Sequence, residues 1–317
     1  MMNENIEILI EKIKNAKNIA ISGHKNLDGD ALGSALALLK IIELNFNKTP
    51  TFIYDGNIPM DLDNFPLRNK ACYCVNVLEK TKFDLYILVD YGTRKHLAGV
   101  EKFVDNADYV VEFDHHYNDD IVGNLCFDDV EKASTSQIIF DVAKQANWTM
   151  DGDVIDLLTL ALITDTGNFK FVRHSDVFTD AAELVERGAD MSKLVSLLQN
   201  KSKKTVLVET ATVTNAEFFM KGRLAVGTIN NKEYKKLDGR GELVLNLLAQ
   251  IHGVEFVVLF KEHKENLIGV SFRSKTVPIN TIAESFGGGG HLFAAGAVLE
   301  GSLEEVHDKV IKVFEGM

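Results

Sequence analysis

Apolar side chains at Ile6, Ile8, Leu9 and Ile13 recur at a spacing that predicts a helix in the first 20 residues. A short apolar strand, NIAISGH, follows it. Small and apolar residues then run through Ala31, Leu32, Ser34, Ala35, Leu36, Leu38 and Leu39, and predict a second helix. TPTFIYDG reads as a strand. LYILVDYG, residues 85–92, is a continuous apolar run closed by a carboxylate, the pattern of a parallel strand covered on both faces. YVVEFDHH, residues 109–116, repeats it. STSQIIFDVAKQ opens on good N-capping residues and predicts a helix. Residues 153–163 are helical and lead into TDTGNFKF. Strands alternating with helices in this way predict a doubly wound, mainly parallel α/β domain.

Helical spacing resumes over 179–200 and fades at QNKSKK, a polar stretch read as the linker. Beyond it RLAVGTIN predicts a strand, GELVLNLLAQI a helix, and EFVVLFKEHKENLIGVSFRSK two strands that turn near Lys264–Asn266. A glycine run, GGGGHLFAAGAVLEG, and an amphipathic helix complete a smaller second α/β domain. The expected layout is a first domain over 1–190, a linker over 191–205 and a second domain over 206–317.

A chain of 317 residues with 46% hydrophobic positions has material for two cores. No apolar run approaches the roughly 18–20 residues of a membrane span. The N-terminal residues carry early acids and lack the pattern of a signal peptide. A cytoplasmic protein with no membrane partner is expected. Cys72, Cys74 and Cys126 are read as reduced structural thiols. The net charge of −12 argues against binding long duplex nucleic acid. That charge is uneven. Residues 1–200 hold 19 basic and 32 acidic side chains, while 201–317 hold 15 and 14. The acidity thus lies where a metal site would want it, and the less acidic part suits an anionic substrate.

Hydrolysis of a phosphoester needs a nucleophilic hydroxide and neutralised phosphoryl charge, and two divalent metals about 3.5–4 Å apart supply both. Such a pair needs carboxylates and imidazoles from several strand ends, one carboxylate bridging. SGHKNLDGDALGS puts His24, Asp28 and Asp30 just after a strand, with Gly29 giving a tight turn between the acids and Gly33 and Ser34 opening the next helix. Asp90 closes one apolar strand, Asp114, His115 and His116 close the next, and Asp165 follows a helix. These are the positions where an open α/β sheet gathers ligands. Nitrogen with abundant carboxylate suits manganese, and less well magnesium or zinc.

HKNLDGDALGS, LVDYG, FDHH and TDTGNF resemble the four motifs of the DHH phosphoesterase superfamily, and SFRSK with GGGGHLFAAGA resembles its DHHA1 domain. The likeness runs in order along nearly the whole chain and is nearest the nanoRNase and pAp-phosphatase subgroup. It implies one metal held by His24, Asp28 and a bridging Asp90, and another by Asp30, Asp90, His115 and Asp165. It further implies that His116 contacts phosphate or the leaving oxygen, that Asp114 orients a histidine, and that a hydroxide bridging the metals attacks in line. After Asp90 the superfamily often has a small polar pair where this chain has Tyr91-Gly92. Arg94, close by, is a candidate substrate contact.

On the substrate side, Gly288, Gly289 and Gly290 can bring amides close to an anion. The resemblance makes Arg273 and His291 phosphate contacts, with Ser271, Ser274 and Lys275 weaker candidates. Ser134 and Thr135 open a helix and are candidate anion donors. Phe169, Phe171 and Phe293 are candidate base-stacking residues. The expected partners are short RNA fragments or mononucleotide and dinucleotide phosphates, received in a cleft between the domains, with a homodimer as the expected assembly. The expected activity is hydrolysis of oligoribonucleotides of 2–5 nucleotides and of 3′-phosphoadenosine 5′-phosphate. Alternatives are a phosphodiesterase for cyclic or linear di-adenosine phosphate, another small-phosphate hydrolase of the superfamily, and an inert nucleotide-binding protein. The GGGH element disfavours pyrophosphate, and the chain length disfavours long single strands.

Overall fold

A computed structural model describes residues 2–58, 62–117, 120–237 and 241–316, without the side chains of Glu242, His291 and Glu315. The chain divides into two compact units, Met1–Asn200 and Lys201–Met317.

The first unit runs α1 (Met2–Asn15), β1 (Ile19–Ser22), α2 (Gly29–Phe46), β2 (Thr51–Tyr54), β3 (Ala71–Tyr73), β4 (Leu85–Val89), α3 (Glu101–Asp105), β5 (Val110–Asp114), β6 (Leu125–Asp128), α4 (Thr135–Gln145), α5 (Gly152–Asp165), α6 (Asp176–Glu186) and α7 (Met191–Gln199). Its sheet has the order β3-β2-β1-β4-β5-β6, and every described neighbouring pair is parallel. Both faces are covered, so β1 and β4 read as unbroken apolar runs. Ile19, Ile21, Ile87, Val89, Val111 and Phe113 pack on one side with α2, α4 and α5. Ala20, Tyr86, Leu88 and Val110 pack on the other with Leu97, Val100, Phe103 and Val104. This is the doubly wound parallel sheet that the sequence predicts. The short strands β3 and β6 were not legible in it.

The second unit runs α8 (Lys203–Thr214), β7 (Glu217–Phe219), β8 (Leu224–Ile229), α9 (Asn231–Tyr234), α10 (Glu242–Gln250), β9 (Phe256–Lys264), β10 (Leu267–Ser274), α11 (Asn280–Ser285), β11 (Gly289–His291), β12 (Ala294–Glu300) and α12 (Leu303–Glu315). Its sheet has the order β11-β12-β10-β9-β8-β7, with β8 and β9 parallel and the other described pairs antiparallel. The turn between β9 and β10 falls where the sequence places it, with Asn266 at a φ of 58°. One face carries Phe256, Phe260, Phe272 and α12. The other carries Val257, Leu259 and α10.

Two expectations change here. The stretch 191–205, expected as the linker, is largely helical: it holds α7 and the start of α8, and the two units meet at the break around Asn200–Ser202. Within the polar KSKK, Ser202 caps α8 by accepting from the Thr205 amide at 3.2 Å. The helical stretch 179–200 is two helices, parted near Gly188, whose φ is 113°. Among the described residues no helix is long and apolar enough to cross a membrane.

Candidate metal centre

Between β1 and β4 the strand order of the first sheet reverses, and their carboxyl ends open the crevice where doubly wound folds place ligands. Asp28 caps α2, accepting from the Asp30 and Ala31 amides at 3.1 Å each. Its other oxygen lies 3.4 Å from His24 Nε2. Asp30, in the first turn of α2, is buried. Asp90 follows β4, His115 and His116 follow β5, and Asp165 ends α5.

Beside a third group, Asp90–His115–His116, the structure brings these side chains together as two triads, His24–Asp28–Asp90 and Asp30–His115–Asp165, each with ligand atoms within 4.8 Å of one another. Asp90 faces both. Its Oδ2 is 3.9 Å from His24 Nε2, and its Oδ1 is 3.4 Å from His115 Nε2. His115 Nε2 also lies 3.4 Å from Asp165 Oδ2 and 3.9 Å from Asp30 Oδ2. Each of these two imidazoles turns its Nδ1 to a backbone carbonyl, His24 to Lys25 at 2.8 Å and His115 to Lys132 at 3.3 Å. A carbonyl only accepts, so Nδ1 carries a proton and Nε2 is the nitrogen turned to the carboxylates, the one a cation would displace a proton from, as metal-ligating histidines are arranged. The donor set is carboxylate oxygen and imidazole nitrogen throughout, and it fits hard or borderline divalent cations.

His116 is held differently. Its Nδ1 meets Asp114 Oδ1 at 2.8 Å and Asp90 Oδ1 at 3.5 Å. Asp114 also accepts from the His116 amide at 3.0 Å, and from the Tyr91 and Gly92 amides at 3.1 and 2.7 Å. The histidine that Asp114 orients is therefore His116. The same carboxylate clamps the chain just after Asp90, which has a φ of 52°, a left-handed conformation that costs a non-glycine residue about 1–2 kcal/mol.

The crowded carboxylates shift one another. Asp30 is held well above the usual range by burial and by the charges of Asp90 and Asp165. Burial, with the charges of Asp90 and Asp28, pushes Asp165 up to about 7 against the opposing charge of His115. Burial works against a charged His24, but Asp28 and Asp90 outweigh it and raise the ring to about 10. His115 rises to about 11 in the same way, through Asp90, Asp165 and Asp30. Burial disfavours a charged His116 as well, yet Asp114 and Asp90 raise it. A buried nest of carboxylates that holds its imidazoles protonated is an environment that favours cations.

Several supporting contacts carry no motif signal. The Thr135 amide donates to Asp30 Oδ2 at 2.7 Å and the Ser136 amide to Oδ1 at 3.2 Å, so the amino end of α4 is occupied by an acid of the protein itself. Ser34 donates to Asp30 at 3.0 Å, and the Thr135 hydroxyl to Asp90 at 3.3 Å. Gly29 is not a turn between the acids but the first residue of α2, where a Cβ would lie 2.4 Å from Thr164.

Other candidates change role. Ser134 is fully buried and its hydroxyl bonds Ser136 at 2.6 Å, which removes it as a substrate contact. Arg94 pairs through Nε with Glu101 at 2.9 Å and through Nη2 with Asp105, so its fork is taken up by two surface carboxylates of α3. Gly288, Gly289 and Gly290 are not a free loop. Gly289 and Gly290 pair with Gly296 and Ala295, and a Cβ on Gly288 would lie 2.1 Å from the Gly296 carbonyl, so close strand packing already requires glycine. Arg273 is half-buried on β10, with Nη1 donating to the Phe272 carbonyl at 2.9 Å. The His291 side chain lies outside the described residues. Phe169 packs on the core and stacks on Phe178, whereas Phe171 and Phe293 are exposed.

Residues 18–162 match the DHH family N-terminal domain and residues 239–316 match the DHHA1 domain. The chain is 27% identical to the probable bifunctional oligoribonuclease and PAP phosphatase NrnA of Streptococcus mutans, over 91% of this chain and 92% of that one. It is 26% identical to the cyclic-di-AMP phosphodiesterase PdeA of Listeria monocytogenes, over 93% of this chain and 46% of that one. In fold it resembles an exopolyphosphatase-related protein from Bacteroides fragilis, at a TM-score of 0.87 and 22% identity, over 99% of this chain and 95% of that one. With an acid and histidine cluster at the switch point of its first sheet and both family domains in order, the chain belongs to the DHH–DHHA1 phosphoesterase family.

Proposed function

We propose that this protein is a manganese-dependent phosphoesterase that hydrolyses oligoribonucleotides of 2–5 nucleotides and 3′-phosphoadenosine 5′-phosphate. The observation that carries the reading is Asp90, one buried carboxylate turned toward both triads, as a bridging ligand must be. His24, Asp28 and Asp90 would hold one cation, and Asp30, Asp90, His115 and Asp165 the other. Two bound cations supply an activated water and neutralise phosphoryl charge. The protein's own groups do the rest. Asp30 is fixed by the α4 amides. His24 and His115 keep Nε2 forward because their Nδ1 atoms are tied to carbonyls. His116, raised by Asp114, delivers a proton to the leaving oxygen. In the second unit Arg273, His291 and the glycines of β11 contact substrate phosphate. The NrnA relative's name favours short RNA and pAp, and the PdeA relative's name keeps cyclic di-AMP as the second reading.

The test is a panel. Metal-stripped protein is reloaded with manganese or magnesium and given pApA, 3′-phosphoadenosine 5′-phosphate, cyclic di-AMP and pyrophosphate. Turnover of the first two, greatest with manganese, is expected. Preferential cleavage of cyclic di-AMP would replace the substrate assignment, and no turnover of any short substrate would overturn the enzyme reading. Arg273→Ala is expected to raise KM for terminally phosphorylated substrates roughly tenfold while changing kcat less.

A further inference from the structure

A second group of ligating side chains lies on the β5–β6 pair, apart from the six-residue cluster. The two strands run parallel with Glu112 opposite Cys126 and Asp114 opposite Asp128, so Glu112, Cys126 and Asp128 face the same side of the sheet. Ligand atoms of these three lie within 4.8 Å of one another. Glu112 is only 1% exposed. Its Oε2 accepts from the Tyr91 hydroxyl at 2.9 Å and from the Val122 and Gly123 amides at 3.1 and 2.7 Å. Its Oε1 is buried and has no hydrogen-bond partner among the described residues unless Cys126 or Asp128 is protonated, when either can donate to Glu112. A buried carboxylate oxygen left without a partner is costly and calls for an explanation. Cys126 is half-buried and Asp128 exposed, which gives an ion a path in from solvent.

We propose that Glu112, Cys126 and Asp128 bind a single borderline divalent cation of the zinc type. A thiolate beside carboxylates selects zinc or cadmium over manganese or magnesium, the reverse of the preference at the six-residue cluster. Donor atoms around tetrahedral zinc stand about 3.5 Å apart, so closure from a spread of at most 4.8 Å asks no more than about an ångström, and exposed Asp128 has the freedom to move. Glu112 Oε1 gains the partner it lacks, and water completes the coordination. Without the cation, burial and Glu112 push Asp128 up to about 8 and Cys126 up to about 12, and a bound cation would reverse both shifts.

Cadmium titration of the full chain tests this through the ultraviolet cadmium–thiolate charge-transfer band, which carboxylate and imidazole ligands do not produce. The expected result is a band that saturates at about one cadmium per chain, is lost in Cys126→Ser, and needs at least ~10-fold more cadmium in Asp128→Asn. Both substitutions fall on side chains that are not buried, and zinc competition is expected to remove the band. No band dependent on Cys126, or a band with unchanged affinity in Asp128→Asn, would overturn the site. The second outcome would leave a lone thiol, and the first would leave Glu112 and Asp128 sharing a proton. Neither bears on turnover at the six-residue cluster, so this proposal and the enzymatic one fail separately.

Discussion

Asp90 combines two demands that oppose each other. It is a buried carboxylate turned toward two imidazoles, and it is a non-glycine residue at a φ of 52°. Asp90→Ala should lose at least ~10³-fold in kcat, because a ligand shared by both triads supports the whole constellation. Metal analysis of that variant should show fewer than two cations retained. Asp90→Gly should be equally inactive, yet more stable to urea than Asp90→Ala by about 1 kcal/mol, since glycine removes the left-handed strain. Equal stability of the two would show that the strain is absent. The titrating groups give a second test. His24 at about 10, His115 at about 11 and Asp165 at about 7 all stand above their ordinary values of 6.5, 6.5 and 3.8. A raised group stabilises fully below its unfolded pKa and loses that contribution as pH rises through the folded one. Chelated protein should therefore lose stability as pH climbs from about 4 to 7 through Asp165, and from about 6.5 toward 10 and 11 through the imidazoles. Urea midpoints across that range, with and without manganese, would show whether bound cations remove the dependence.

Helix ends place the rest of the cluster. The amino end of α2 carries Asp28 as its cap and Asp30 in its first turn, the amino end of α4 donates two amides to Asp30, and α5 ends on Asp165. Two helices thus aim positive amide ends at an acid, the arrangement that usually receives a substrate anion. Contact between α2 and α5 brings Asp165 up to the acids of α2. Where they cross, Gly29 meets Thr164, the neighbour of Asp165. Gly29→Ala should push the helices apart, cost about 1–3 kcal/mol in urea unfolding and weaken metal binding, although no ligand is changed. Unaltered metal affinity in that variant would show that the crossing does not set the ligand spacing.

At the scale of the whole chain, the proposed metal chemistry resides in one unit, and this can be observed directly. The single tryptophan, Trp148, sits in the core of the first unit, so its fluorescence reports the unfolding of that unit. A cation present at a hundred times its Kd should add about 2.7 kcal/mol per site to the transition read by Trp148, and Asp90→Ala should cut the gain by at least one site's share. An unchanged transition in the presence of manganese would count against cation binding in this unit.

Hydrophobic periodicity by itself determined the main strands and helices of the first unit, because a strand covered on both faces must be apolar throughout and a buried helix must repeat its apolar stripe. Carboxylates and imidazoles at the ends of those strands then marked the candidate ligands, since polar residues that interrupt an apolar run need a reason. The short strands β3 and β6 stayed hidden, as three or four residues carry too little period, and KSKK concealed the start of a helix because surface helices are polar. Only the tertiary structure decided which groups are spoken for. Thr135 and Ser136 meet Asp30 across more than a hundred positions of sequence, Arg94 turns into Glu101 and Asp105, and Ser134 is buried. Sequence fixes what a side chain is able to donate or accept, whereas the partner it meets depends on strand order and helix crossing, which bring together residues that no local pattern connects.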